Sequence, residues 1–175
     1  MGSLARVQHP PLVAALVLVG SGPFEARHAV SIKPTRLACL TEAERQEYAV
    51  LASDLEDPAK LERAMQLFEK MDTYAPNGEP RPRTVFNKAI YDAVWEEAAS
   101  LRRSGELLQI VATIRCPVTA IHGDYDPHPA EGVEIPLRSK VPRSNFVLLD
   151  RCGHKPWDET HARDAFYREL EKAIG

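Results

Sequence analysis

"CPVTAIHGDYDPHPAEG", residues 116–132, and "NFVLLDRCGHKPWDE", residues 145–159, decide how this chain is read. Each opens on a short apolar run with β-branched residues and closes on Gly- and Pro-bearing loop sequence, the pattern of a buried strand that runs into a loop. Between them, "AEGVEIPLRSKV" predicts a helix that Pro136 interrupts or shifts. After them, residues 158–174 place Ala162, Phe166, Leu170 and Ile174 at intervals of four, which predicts an amphipathic helix. Strand, helix, strand, helix in that order implies a parallel sheet covered by helices, so the fold class is α/β.

The first loop holds His122, Asp124, Asp126 and His128. On a continuous strand, alternate residues share a face, and imidazole with carboxylate suits zinc, iron or manganese. Gly123 and Pro127 break the alternation, however, and no second His/Asp cluster completes a ligand set, so no metal site is assigned. A different arrangement needs fewer assumptions. Functional groups of a wound α/β sheet sit in loops at the carboxyl ends of strands. Asp126 lies just past the first strand and His154 just past the second. Adjacent parallel strands would bring these loops together, with Gly153 giving the second one freedom to turn. A carboxylate that orients an imidazole, and an imidazole that takes a proton from a nucleophile, is the logic of Ser-His-Asp catalysis. Asp124 is expected to hydrogen-bond within its own loop, His122 to be structural, His128 to lie near the pocket mouth, Cys152 to be a small buried residue, and Trp157 to pack under the His154 loop.

Upstream, "LVLVGSG" at 16–22 reads as another buried strand ending in a loop. The apolar stretch 11–22 is too short to span a membrane, and "HPP" at 9–11 sits awkwardly in a signal helix. The middle of the chain is helical and rich in charge. "TEAE" at 41–44 is a capping box, and "DP" at 57–58 is an N-cap with a first-turn proline. "YAPNGEPRPR" at 74–83 is a loop. A helix over roughly 84–103 would carry Phe86, Ile90, Val94 and Trp95 on one side, and a short helix restarts after Gly105. The organisation expected is 1–23 as first core strand and entry, 24–111 as a helical cap or lid, and 112–175 as the C-terminal core.

Composition narrows the function classes. The 175 residues are 44% hydrophobic and 27% charged, as in a single globular domain. Net charge is −3 with no basic block, which speaks against nucleic acid. Cys39, Cys116 and Cys152 are odd in number and far apart, so a reducing cytoplasm is the expected compartment.

The paired motifs resemble the C-terminal end of the α/β-hydrolase superfamily, whose members close with a strand, "HGxxD", a helix, a strand, "GH" and a last helix. The resemblance implies that Asp126 is the triad acid and His154 the triad base. "HPPLVAALVLVGSGP" at 9–23 resembles the strand that follows the nucleophile helix, and residues 24–111 resemble the helical cap many members carry. The implied fold is a partial α/β-hydrolase, a short, mostly parallel sheet flanked by helices. The implied activity is hydrolysis of a small ester or amide, without metal or organic cofactor; a related peroxidase activity occurs in such families. The family's Gly-x-Ser-x-Gly elbow is not in this sequence. The start, "MGSLARVQHP", resembles the residues just after an elbow serine. The chain therefore reads as a fragment, a mis-started reading frame or a degenerate relative, inactive by itself; Ser21, at a strand end, is the best-placed substitute serine, and Ser3 stands near the missing elbow but on the wrong side of the turn. The alternative is a non-catalytic half-hydrolase that binds or oligomerises through an uncovered sheet edge.

Overall fold

The computed structural model describes residues 13–53, 55, 57–79 and 86–175. Ser3, Arg6 and the rest of the segment likened to an elbow helix lie outside them, as do residues 80–83 of the anticipated loop and the first two of the 84–103 helix.

Strand β1 covers Leu16–Val19, and a run of helices follows: α1 (Ala26–Ala29), α2 (Ile32–Ala38), α3 (Glu42–Leu51), α4 (Pro58–Asp72), α5 (Lys88–Ser104) and α6 (Glu106–Ala112). Then come β2 (Val118–Gly123), α7 (Glu131–Lys140), β3 (Ser144–Leu149), a 3-10 turn at Pro156–Asp158 and α8 (Arg163–Ile174). The strands form one parallel sheet in the order β1-β2-β3. Val118 stands opposite Leu16 on one side and Ser144 on the other. The sheet is small, parallel and flanked by helices, as the alternation of elements predicts.

Local chemistry accounts for the helix boundaries. Thr41 accepts from the Glu44 amide while the Glu44 carboxylate accepts from the Thr41 amide, closing the capping box. Asp57 caps α4, with Pro58 at the position where a missing N–H costs nothing. Gly105 adopts φ +77°, ending α5 in the left-handed conformation that suits glycine.

Both faces of the sheet are covered. On one, Val118 and Ala120 pack with Val111, Ile114, Val133 and Leu137, so α6 and α7 are sealed against β2. On the other, Ile121 and Leu149 pack with Cys152, Ala162 and Phe166 of the α8 region. A third cluster, Leu40, Leu67 and Met71, holds α4 to the segment before α3. Burying one large side chain such as Phe166 stabilises by about 1.5–3 kcal/mol.

Two departures from the sequence expectations are physical. The last helix begins at Arg163 rather than 158, because Glu159 is drawn into the molecule as a hydrogen-bond acceptor. Trp157 lies against Phe166, with ring centroids 5.9 Å apart, and stays partly exposed instead of packing under the His154 loop. Helix α5 has no buried residue: Ile90, Val94 and Trp95 remain exposed on it. No helix among the described residues is long and apolar enough to cross a membrane.

Candidate active site

The β2–β3 register knits the two loops that follow these strands. The Asp124 amide donates to the Leu149 carbonyl at 3.0 Å and the Tyr125 amide to the Cys152 carbonyl at 2.9 Å. The Asp124 carboxylate accepts from the Cys152 amide at 3.0 Å, so it fastens the neighbouring loop rather than its own. This crosslinking carries Asp126 toward His154, which lies 28 positions on.

Asp126 Oδ2 accepts from His154 Nδ1 at 2.9 Å. The Asp126 side chain is fully buried, whereas that of His154 is 27% exposed. Asp126 Oδ1 accepts twice more, from the His128 amide at 2.9 Å and from His128 Nδ1 at 2.7 Å. One buried carboxylate thus serves two imidazoles, whose ring centroids are 4.6 Å apart. Burial pushes the Asp126 carboxyl up, but the hydrogen bonds and charges of His128 and His154 outweigh it and hold the group well below the usual carboxylate range. Burial lowers the pKa of His128 against the opposing pull of Asp126. His122 Nε2 is bonded to the His128 carbonyl at 2.8 Å, which props the loop from below.

His154 is held through its backbone as well. The His154 amide donates to the Asp72 carbonyl at the end of α4, at 2.7 Å. A Cβ on Gly153 would lie 2.2 Å from that same carbonyl, so close approach rather than a special turn is what requires glycine there. The Asp72 carboxylate is buried and takes both Nε and Nη2 of Arg36, at 2.7 and 2.8 Å. Glu159 is fully buried and accepts from the amides of Tyr74, Ala75 and Gly153 at 2.7–2.8 Å. It ties the His154 loop to the chain leaving α4. From the β1 side, Gly20 (φ +52°) abuts the imidazole: a Cβ there would lie 2.4 Å from the His154 carbonyl oxygen and 3.0 Å from Nδ1.

His154 borders a cleft of about 630 Å³ beneath α2, α4 and α5. Its lining mixes Phe68, Met65, Tyr91 and Trp95 with charged groups. A smaller apolar recess of about 190 Å³, lined by Leu61, Phe68, Phe86 and Tyr91 among others, lies in the same helical layer.

The sequence placed Asp126 and His154 together, and they meet. It gave His128 only a peripheral place, although the Asp-x-His spacing that lets Asp126 cap the His128 amide is visible in it. Asp72, Glu159 and Arg36 carry no local signal, because their partners are distant in the chain. The set His122, Asp124, Asp126 and His128 does not assemble, since Asp124 turns to Cys152. The donors that do converge are Asp126, His128 and His154, within 4.8 Å of one another. A cation there would have to displace the hydrogen bonds from both Nδ1 atoms to the carboxylate. Among possible nucleophiles, the Ser21 hydroxyl donates to the Gly22 carbonyl at 3.3 Å. The Cys152 thiol is pushed up to about 12 by burial and by the carboxylates of Glu159, Asp124 and Asp126, so it is no thiolate.

No family model and no curated protein matches the sequence. Solved structures do match. VinJ aligns with a TM-score of 0.64 at 15% identity, over 98% of this chain and 60% of the other. The 2-hydroxy-6-oxo-6-phenylhexa-2,4-dienoate hydrolase of Rhodococcus sp. strain RHA1 aligns at 0.54 and 19% identity, over 99% and 61%. A proline iminopeptidase of Mycobacterium smegmatis aligns at 0.55 and 16% identity, over 98% and 61%. The chain spans about three fifths of the length of these structures, and it has a partial α/β-hydrolase fold.

Proposed function

We propose that, on this α/β-hydrolase fold, Asp126 and His154 are the acid and base of a serine-hydrolase relay that acts on small esters or amides. The observation that carries the reading is the single hydrogen bond from His154 Nδ1 to a buried carboxylate. It fixes the tautomer in which Nε2 is free to take a proton. Among the described residues, Nε2 has no hydrogen-bond partner of its own. In the relay, a serine hydroxyl loses its proton to Nε2 as its oxygen attacks the substrate carbonyl. The imidazolium then returns that proton to the leaving group, while Asp126 stays ionised and stabilises the imidazolium.

The helices between β1 and β2 act as the cap, since α2, α4 and α5 form the walls of the cleft at His154. The sequence contains no Gly-x-Ser-x-Gly. Residues 1–175 therefore supply the acid, the base and a binding cleft, and are expected to bind substrate without turning it over. Intact mass after fluorophosphonate treatment tests this. The expected result is a folded chain with no adduct. An adduct that forms on the wild type and vanishes in His154→Ala would show that a serine within the chain is activated, and peptide mapping would begin at Ser21.

A second reading has its own support. Among the described residues, strand β1 pairs only with β2, and no other strand lies on its far edge. A non-catalytic module that adds a strand or a second copy there would sediment as a dimer or larger species. A clean monomer would end that reading.

A further inference from the structure

The cleft at His154 is cationic although the chain as a whole carries a net charge of −3. Lys33, Arg36, Arg102 and Lys155 line it, and Asp72, the one carboxylate among the lining residues, is already neutralised by Arg36. Lys155 reaches Glu69 at 3.3 Å. Arg102 differs from these. It is half withdrawn from water near the end of α5, and burial is what lowers its pKa, with no opposing carboxylate. Its Nε donates to the Pro23 carbonyl at 2.8 Å, which fixes the plane of the guanidinium. Among the described residues, neither terminal nitrogen has a hydrogen-bond partner.

Position makes this group useful. A Cβ on Gly22 would come within 2.9 Å of Arg102 Nη2 and 3.8 Å of His128 Cδ2, so Gly22 separates the guanidinium from the His128 imidazole on the same side of the cleft. A planar fork with two free donors matches a carboxylate in bidentate geometry. Across the same cleft, Phe68, Met65, Tyr91 and Trp95 offer apolar and aromatic surface. We infer that Arg102 is the recognition residue for a carboxylate-bearing ligand with an apolar, aromatic-sized tail, so that the substrate class is a small organic acid carrying the scissile bond. That this ligand is a substrate rests on the hydrolase reading. Its recognition does not.

The test is binding to the full chain, titrating 4-phenylbutyrate and its neutral isostere 4-phenylbutyramide at low ionic strength. Amide resonances or Trp95 fluorescence report occupancy. The acid should bind at least about tenfold more tightly than the amide, as expected for one charge-assisted bidentate contact. In Arg102→Gln the two ligands should become equal, through weakening of the acid alone. In Arg102→Lys, which keeps the charge but loses the fork, the gap should shrink. Equal affinities in the wild type, no binding of either ligand, or a gap unchanged in Arg102→Gln would each overturn the inference. The wild-type comparison decides even if a variant fails to fold. Because no turnover is measured, a failed relay at His154 would leave these outcomes unaffected.

Discussion

Glu159 offers a sharp test of how His154 is held. It is fully buried, and its carboxylate accepts from three amides: Tyr74 and Gly153 on Oε1, and Ala75 on Oε2. In Glu159→Ala all three donors lose their acceptor in a site closed to water. An unsatisfied buried donor costs about 1–3 kcal/mol, and charge-assisted bonds lie at the upper end. Relief of the carboxylate's own desolvation offsets part of this, so a net loss of about 3–5 kcal/mol is expected, as for other broken buried charge networks. Glu159→Gln separates packing from hydrogen bonding. With its amide oxygen in the Oε1 position it keeps Tyr74 and Gly153, but its NH2 then faces the Ala75 amide. One bond is lost and two donors are opposed, at a cost of about 1.5–3 kcal/mol. For a chain of this length each kcal/mol shifts Tm by roughly 2–4 °C. Urea unfolding followed by tryptophan fluorescence measures both variants. A Gln variant within about 0.5 kcal/mol of the wild type, or an Ala variant no worse than Gln, would refute the account.

Gly20→Ala should move His154 without touching it chemically: the residue holds φ +52° and its new Cβ would overlap the His154 carbonyl. Left-handed strain and overpacking together predict a loss of about 2–4 kcal/mol, and a weakened hydrogen bond to Asp126 should show as a changed Nδ1–H proton resonance; an unchanged resonance would count against the contact. The pH dependence follows from His128, whose pKa is lowered by burial. The unfolded chain then binds a proton near the ordinary value of about 6.5 while the folded chain does not. Stability should fall as pH drops from about 6.5 toward the lowered value and level off above 6.5, with a flatter profile in His128→Asn. Asp126 adds a second loss at lower pH, because its depressed carboxyl contributes stability that is present above about 3.9 and disappears below it.

Most of the sheet and the meeting of Asp126 with His154 were legible because they depend on local patterns. The apolar runs read at 116–123 and 145–150 and the loops behind them carry their own signals, and parallel pairing of neighbouring strands does the rest. The loop ends at Gly123 and Gly153 were visible as glycines, but not the reason for Gly153, since the obstructing Asp72 carbonyl comes from a distant helix. Helix α5 was legible as a helix with Ile90, Val94 and Trp95 on one side, but periodicity alone does not say whether anything covers a face: these residues stay exposed, and Trp95 lines the cleft. Glu159, Asp72 and Arg102 were missed because a lone charged residue reads as solvated surface until its burial and its partners are known.

The sheet register also has a consequence for the order of assembly. Val118 pairs with Ser144 across a short chain loop, but with Leu16 across one about four times longer, whose closure costs roughly 1.2 kcal/mol more in entropy. Loop-closure entropy therefore favours the β2–α7–β3 unit, with Asp126 and His154 in its loops, as the early nucleus, and leaves β1 to dock late. Gly20, which walls in the imidazole, arrives with β1. The Asp126–His154 pair thus lies in the part of the chain whose closure costs least, and its enclosure by Gly20 is expected to form late.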